Sequence, residues 1–132
     1  MLAASTEASP ARPVALVVIQ EPSQQARACR VLRGRGYETI AVGTTEVARA
    51  LLQRMTPDVV LLDTEREAVS IAKLLVELSN DRDAPAAVLL TDDVAWLGAR
   101  FGLISLRLPS DAALGRGVDR SVRRHLRPMP PR

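Results

Sequence analysis

Thr56-Pro57-Asp58-Val59-Val60-Leu61-Leu62-Asp63 joins a proline turn, four consecutive apolar residues and a terminal carboxylate. A short apolar run bounded by turn residues predicts a strand buried on both faces. Asp63 then stands at its carboxyl end. In open parallel α/β sheets ligands collect outside the carboxyl ends of the strands, so Asp63 is the first candidate for chemistry.

Upstream of this stretch, residues 14–19 form another continuous apolar run and predict a first buried strand. Gln20-Glu21-Pro22-Ser23 ends it, and with Ser23 as cap a helix is expected from about Gln24. That helix buries Ala28, Val31 and Leu32, turns Arg27, Arg30 and Arg33 to solvent, and stops at Gly34 and Gly36. Residues 37–42 read as a second strand. A second helix, capped at Thr44-Thr45, has Val47, Ala48, Leu51, Leu52 and Met55 on its inner face. Downstream of Asp63, Ala68, Ile71, Ala72, Leu75 and Leu78 recur at helical spacing, and residues 79–85 form a polar loop. Residues 86–90 predict a fourth strand, a short helical segment passes through Trp96, and residues 103–108 predict a fifth strand. The last helix starts at Ser110 or Asp111 and repeats Leu114, Val118, Val122 and Leu126.

Strands alternating with helices throughout predict a parallel sheet with right-handed crossovers and helices on both faces. The expected fold is α/β: a single doubly wound, three-layer, flavodoxin-like domain with a five-stranded parallel sheet ordered 2-1-3-4-5. Its switch point lies between the carboxyl ends of the first and third strands, at Ile19-Gln20-Glu21 and Asp63. The chain's 132 residues suit one domain, assigned to residues 14–127, with a tail at 1–13 that carries no periodic apolar face and is expected to be disordered, and a tail at 128–132 whose prolines cannot continue the helix.

Composition narrows the function classes. The chain is 47% hydrophobic and 25% charged, and no apolar run approaches the roughly 20 residues of a membrane span. The first ten residues lack a basic region followed by an apolar core, so a cytoplasmic protein is expected. One cysteine, Cys29, and one histidine, His125, exclude an internal disulfide and a Cys/His metal cage. Of 18 basic residues 17 are arginine, while the net charge is only +3, so basicity acts through placement.

Over nearly all of residues 14–127 the sequence resembles the receiver domains of two-component response regulators. The resemblance rests on Val17-Val18 followed by Glu21-Pro22-Ser23, on Gly36-Tyr37-Glu38, on Pro57 to Asp63, on Thr91 closing the fourth strand and on Pro109 closing the fifth. It implies an Asp63 phosphoacceptor with Thr91 as the assisting hydroxyl. The family also uses Mg²⁺, an acidic pair after the first strand and a lysine before the proline of the fifth. Those positions depart from the pattern: the acidic pair becomes Ile19-Gln20 and the lysine becomes Leu108. Mg²⁺ demands carboxylate oxygens in near-octahedral array, and Gln20 offers at best one amide oxygen. Phosphoryl transfer depends on positioning and charge neutralisation, which Leu108 cannot supply.

The resulting expectation is a degenerate receiver, not an enzyme and without a cofactor, acting through protein contact in signalling or localisation. The alternatives are an Asp63 phosphoacceptor that recruits Mg²⁺ through Glu21 or Asp92, and a remodelled pocket for another ligand. For the partner surface, Arg116, Arg120, Arg123, Arg124 and Arg127 recur along the last helix, and Arg27, Arg30, Arg33 and Arg35 lie on or just after the first. In the expected order these helices share one sheet face and form a continuous basic surface suited to an acidic partner protein. Nucleic acid is the weaker reading, because neither a helix-turn-helix pattern nor an aromatic platform accompanies the charge. The resemblance further carries dimerisation or partner contact to the fourth predicted helix, fifth strand and last helix, and so to Trp96 and Arg107.

Overall fold

The computed structural model describes residues 12–63, 68–80, 84–90, 104–106 and 110–126. In chain order they form β1 (Val14–Val18), α1 (Pro22–Gly34), β2 (Glu38–Val42), α2 (Thr45–Leu52), β3 (Val59–Asp63), α3 (Ala68–Ser79), β4 (Ala86–Leu90), β5 (Ile104–Leu106) and α4 (Asp111–Leu126). The sheet is parallel and ordered β2-β1-β3-β4-β5, as the alternation of strands and helices predicts. Both predicted tails lie largely outside the described residues, as do the segment through Trp96 and the positions Thr91, Asp92, Arg107, Leu108 and Arg127.

Strand periodicity divides the core into two layers. Ala15, Val17 and Ile19 of the first strand and its exit, with Val59 and Leu61, pack against Ala28, Cys29 and Leu32 of α1 and Leu114 and Val118 of α4. Leu16, Val18, Val60 and Leu62 pack on the other face against Ala48 of α2 and Ile71, Leu74 and Leu75 of α3. Every residue from Val59 to Leu62 is wholly buried, because helices cover both faces of this central strand. Cys29 is a free, buried thiol within the first layer.

Asp58 fastens the amino-terminal edge of the sheet. Its Oδ2 accepts from the Val14 amide at 2.7 Å. Its own amide donates to the Val14 carbonyl at 2.8 Å, and its carbonyl accepts from the Ala86 amide at 3.2 Å. One turn residue thus bridges β1, β3 and β4.

Several sequence expectations are corrected. The first helix begins at Pro22, not Gln24, and its cap is Glu21, not Ser23: the Glu21 carboxylate accepts from the Ser23 and Gln24 amides. Proline in the first helical turn loses no hydrogen bond, since those amides have no intrahelical partner. Gly34 is the last helical residue, and the chain turns at Gly36, whose φ of 95° suits glycine. Val47 is not on the inner face of α2 but 49% exposed, whereas Thr45 is buried. The helix is only two turns long, and Thr44, whose hydroxyl accepts from the Val47 amide at 3.2 Å, sets its rotation. Leu74, absent from the predicted apolar stripe of α3, is buried.

Candidate functional site

Asp63 ends β3 and is half-buried. The alternation along the strand puts it on the same face as Val59 and Leu61, toward the α1 and α4 layer. Its register partner in β4 is Leu90, which packs against that layer. On the other side, β1 pairs Val18 with Leu62, so the next residue, Ile19, comes level with Asp63. Ile19 is 1% exposed and belongs to the same core cluster. In the register of the sheet, Asp63 is therefore flanked by Ile19 and Leu90.

The remaining residues of the β1 exit are occupied by local structure. Gln20 is exposed. Both Glu21 carboxylate oxygens accept from the Ser23 amide at 2.9 Å, Oε1 accepts from the Gln24 amide at 3.2 Å, and the Ser23 hydroxyl donates to both oxygens. A carboxylate at a helix amino terminus is held by the exposed amides and the helix dipole. Gln25, one turn on, donates from Nε2 to the Ile19 carbonyl at 2.9 Å and the Val42 carbonyl at 3.1 Å. It ties the carboxyl ends of β1 and β2 together. Nothing in the sequence pattern singled out Gln25, since a polar residue on an early helical turn carries no periodic signal.

Among the described residues of this edge, the donor set does not suit a divalent cation. Mg²⁺ is bound by hard oxygen ligands, usually one or two carboxylates with waters. Here the position level with Asp63 on β1 is an isoleucine, and the acid at the β1 exit, Glu21, serves as a helix cap. Among the described residues no group of three or more His, Cys, Asp or Glu could hold a metal ion. Thr91 and Leu108, the other positions named from the sequence, lie outside the described residues.

The arginines separate into two sets. Arg27 Nε lies 2.6 Å from Asp111 Oδ1, Arg30 lies 3.8 Å from Asp111 Oδ2, and Arg35 lies 2.5 Å from Asp119 Oδ2. The expected continuous basic surface is thus interrupted along the seam between α1 and α4, where acids from α4 neutralise arginines of α1 and its exit. Arg116, Arg120, Arg123 and Arg124 are exposed on α4, and among the described residues none is in an ion pair. Asp119 also accepts from the Tyr37 hydroxyl at 3.0 Å. Burial, then the hydrogen bond and charge of Asp119, push the Tyr37 phenol well above its ordinary range. Trp96 and Arg107 lie outside the described residues.

No family model matches the chain. No curated protein matches it either. Solved structures do. A response regulator receiver protein from Burkholderia phymatum superposes with a TM-score of 0.72 at 22% identity, covering 84% of this chain and 95% of that one. The signal receiver domain of a signal transduction histidine kinase from Syntrophus aciditrophicus gives 0.75 at 22% identity, covering 89% and 95%. A Francisella response regulator receiver domain gives 0.73 at 19% identity, covering 85% and 98%. The fold is that of the receiver domains.

Proposed function

We propose that this chain is a receiver-like signalling module that works through protein contact, without conventional Mg²⁺-dependent phosphorylation of Asp63. The receiver fold supports the signalling role. The observation that carries the second half is the flanking of Asp63 by Ile19 and Leu90 at the carboxyl edge of the sheet. Phosphoryl transfer to a carboxylate is catalysed by neutralising charge on the transferring oxygens. The two register positions beside Asp63 supply hydrocarbon where charge would help, and Glu21 already holds the amino terminus of α1. The module then signals by presenting a surface, and is not an enzyme.

The competing reading keeps Asp63 as a phosphoacceptor with Glu21 or Asp92 as a substitute metal ligand. It draws on the half-buried position of Asp63 at the end of the central strand. Incubation with a small phosphodonor and Mg²⁺, followed by intact mass, separates the two. The mass of the wild type is expected to stay unchanged. A gain of one phosphoryl group that disappears in Asp63→Asn overturns the proposal.

A further inference from the structure

The unpaired arginines of α4 lie together. Arg116, Arg120 and Arg123 follow one another at four- and three-residue spacing, and Arg124 adjoins them. On the opposite side of the helix Leu114 and Val118 are buried in the core, so the arginine stripe points away from the sheet. It spans two turns, about 12 Å along the axis. Arg116 with Arg120, Arg120 with Arg123, and Arg120 with Arg124 are all like-charge pairs at repelling spacing. Arg27, Arg30 and Arg35, on the α1 side, differ, since they are met by Asp111 and Asp119.

The geometry points to the outer face of α4 as a docking surface for an acidic helical segment of a partner protein, gripped by Arg116, Arg120, Arg123 and Arg124. Guanidinium groups bind carboxylates through paired N–H donors, which matches a stripe of glutamates better than a diffuse field. Toward α1 the stripe is bordered by Asp111 and Asp119, which pair with Arg27, Arg30 and Arg35, so that flank mixes acids with arginines. A nucleic-acid backbone favours an uninterrupted basic surface, commonly with exposed aromatic side chains for stacking. Tyr37 is the aromatic side chain among the described residues, and it is buried. A discrete acidic stripe is the ligand this surface fits.

The inference rests on the protein-contact reading above and names the class of partner. The probe is a short helical peptide with four glutamates at i, i+4, i+7 and i+8, set against a permuted peptide with the same glutamates spread around the helix. Binding to the full chain is followed by fluorescence anisotropy and backbone amide shifts. The matched peptide is expected to shift amides along α4 and to bind more tightly than the permuted one. Arg120→Glu with Arg123→Glu weakens it by about tenfold or more. Arg54→Glu with Lys73→Glu, the same change of net charge at other exposed positions, leaves it unchanged.

Should the reversed pair fail to fold by circular dichroism, Arg120→Gln with Arg123→Gln must weaken binding in the same direction. Three results overturn the inference: no binding of the matched peptide at about 50 mM salt, equal losses in both charge-reversed pairs, or tighter binding to a duplex of about 20 base pairs. Intact mass after phosphodonor treatment reports separately on Asp63. Loss of the α4 surface with Asp63 unmodified removes the docking inference alone. An Asp63 phosphoryl group with peptide binding intact removes the phosphorylation-independent reading alone.

Discussion

Asp119 serves two partners at once, accepting from the Tyr37 hydroxyl through Oδ1 and pairing with Arg35 through Oδ2. It ties the loop after α1 to α4 across the surface of the first core layer. The phenol is kept neutral by burial and by the adjacent carboxylate, so its folded pKa lies above the ordinary 10.0. The folded state then holds the proton more tightly than the unfolded chain. The stabilisation is complete below pH 10.0 and is lost as pH rises toward the folded value. Tyr37→Phe should lower stability by about 1 kcal/mol at neutral pH, and flatten the alkaline decline in urea midpoint. Two α4 glycines give a second test. A Cβ at Gly117 would lie 2.7 Å from Leu106 Cδ1, while one at Gly115 would overlap the Arg35 side chain. Gly115→Ala is expected near neutral in urea denaturation: a helix propensity gain of about 1 kcal/mol offsets a partly exposed ion pair worth no more than that. Gly117→Ala is expected to lose about 1 kcal/mol net, because Leu106 must shift within packed surroundings. Equal effects at both positions would show that neither neighbour matters.

At the scale of the element, α4 combines two unlike faces. Leu114 and Val118 fasten it to the sheet, and its arginines repel one another on the outside. Arg120 stands at the centre of three like-charge pairs, each costing about 0.2–0.5 kcal/mol in a helix. Arg120→Gln should therefore raise stability by about 0.5–1 kcal/mol at low ionic strength, and the gain should shrink in high salt as screening removes the repulsion. Thermal unfolding at the two ionic strengths measures both. No gain at low salt would mean that the arginines do not share a face. The apolar stripe of this helix was legible from its period. The pairing of Asp111 and Asp119 with α1 and its exit was not, because a contact between residues more than 80 positions apart leaves no local pattern. The β1 exit shows the same limit. Its proline and the end of the strand were visible in the sequence, yet the cap passed to Glu21, and Gln25 took the Ile19 and Val42 carbonyls.

For the whole molecule, the alternation of strands and helices and the unbroken burial of Val59 to Leu62 account for the fold. Those signals rest on burial and period, which survive at identities of 22% and below to solved receiver structures. The site follows different rules, since it depends on a few side chains at the carboxyl edge. The sequence already placed Ile19 where the resemblance calls for an acid. Only the register shows that Ile19 and Leu90 bracket Asp63 on the α1 and α4 face. The central proposal is that this edge keeps the receiver scaffold without a cation site. A Mg²⁺ titration followed by backbone amide shifts tests it most directly. The account predicts no saturable change at Ile19, Gln20 or Asp63 up to about 10 mM, above the roughly 10⁻⁴–10⁻³ M of the weakest Ca²⁺ protein sites. A saturating shift centred on Asp63 and abolished by Asp63→Asn would contradict it.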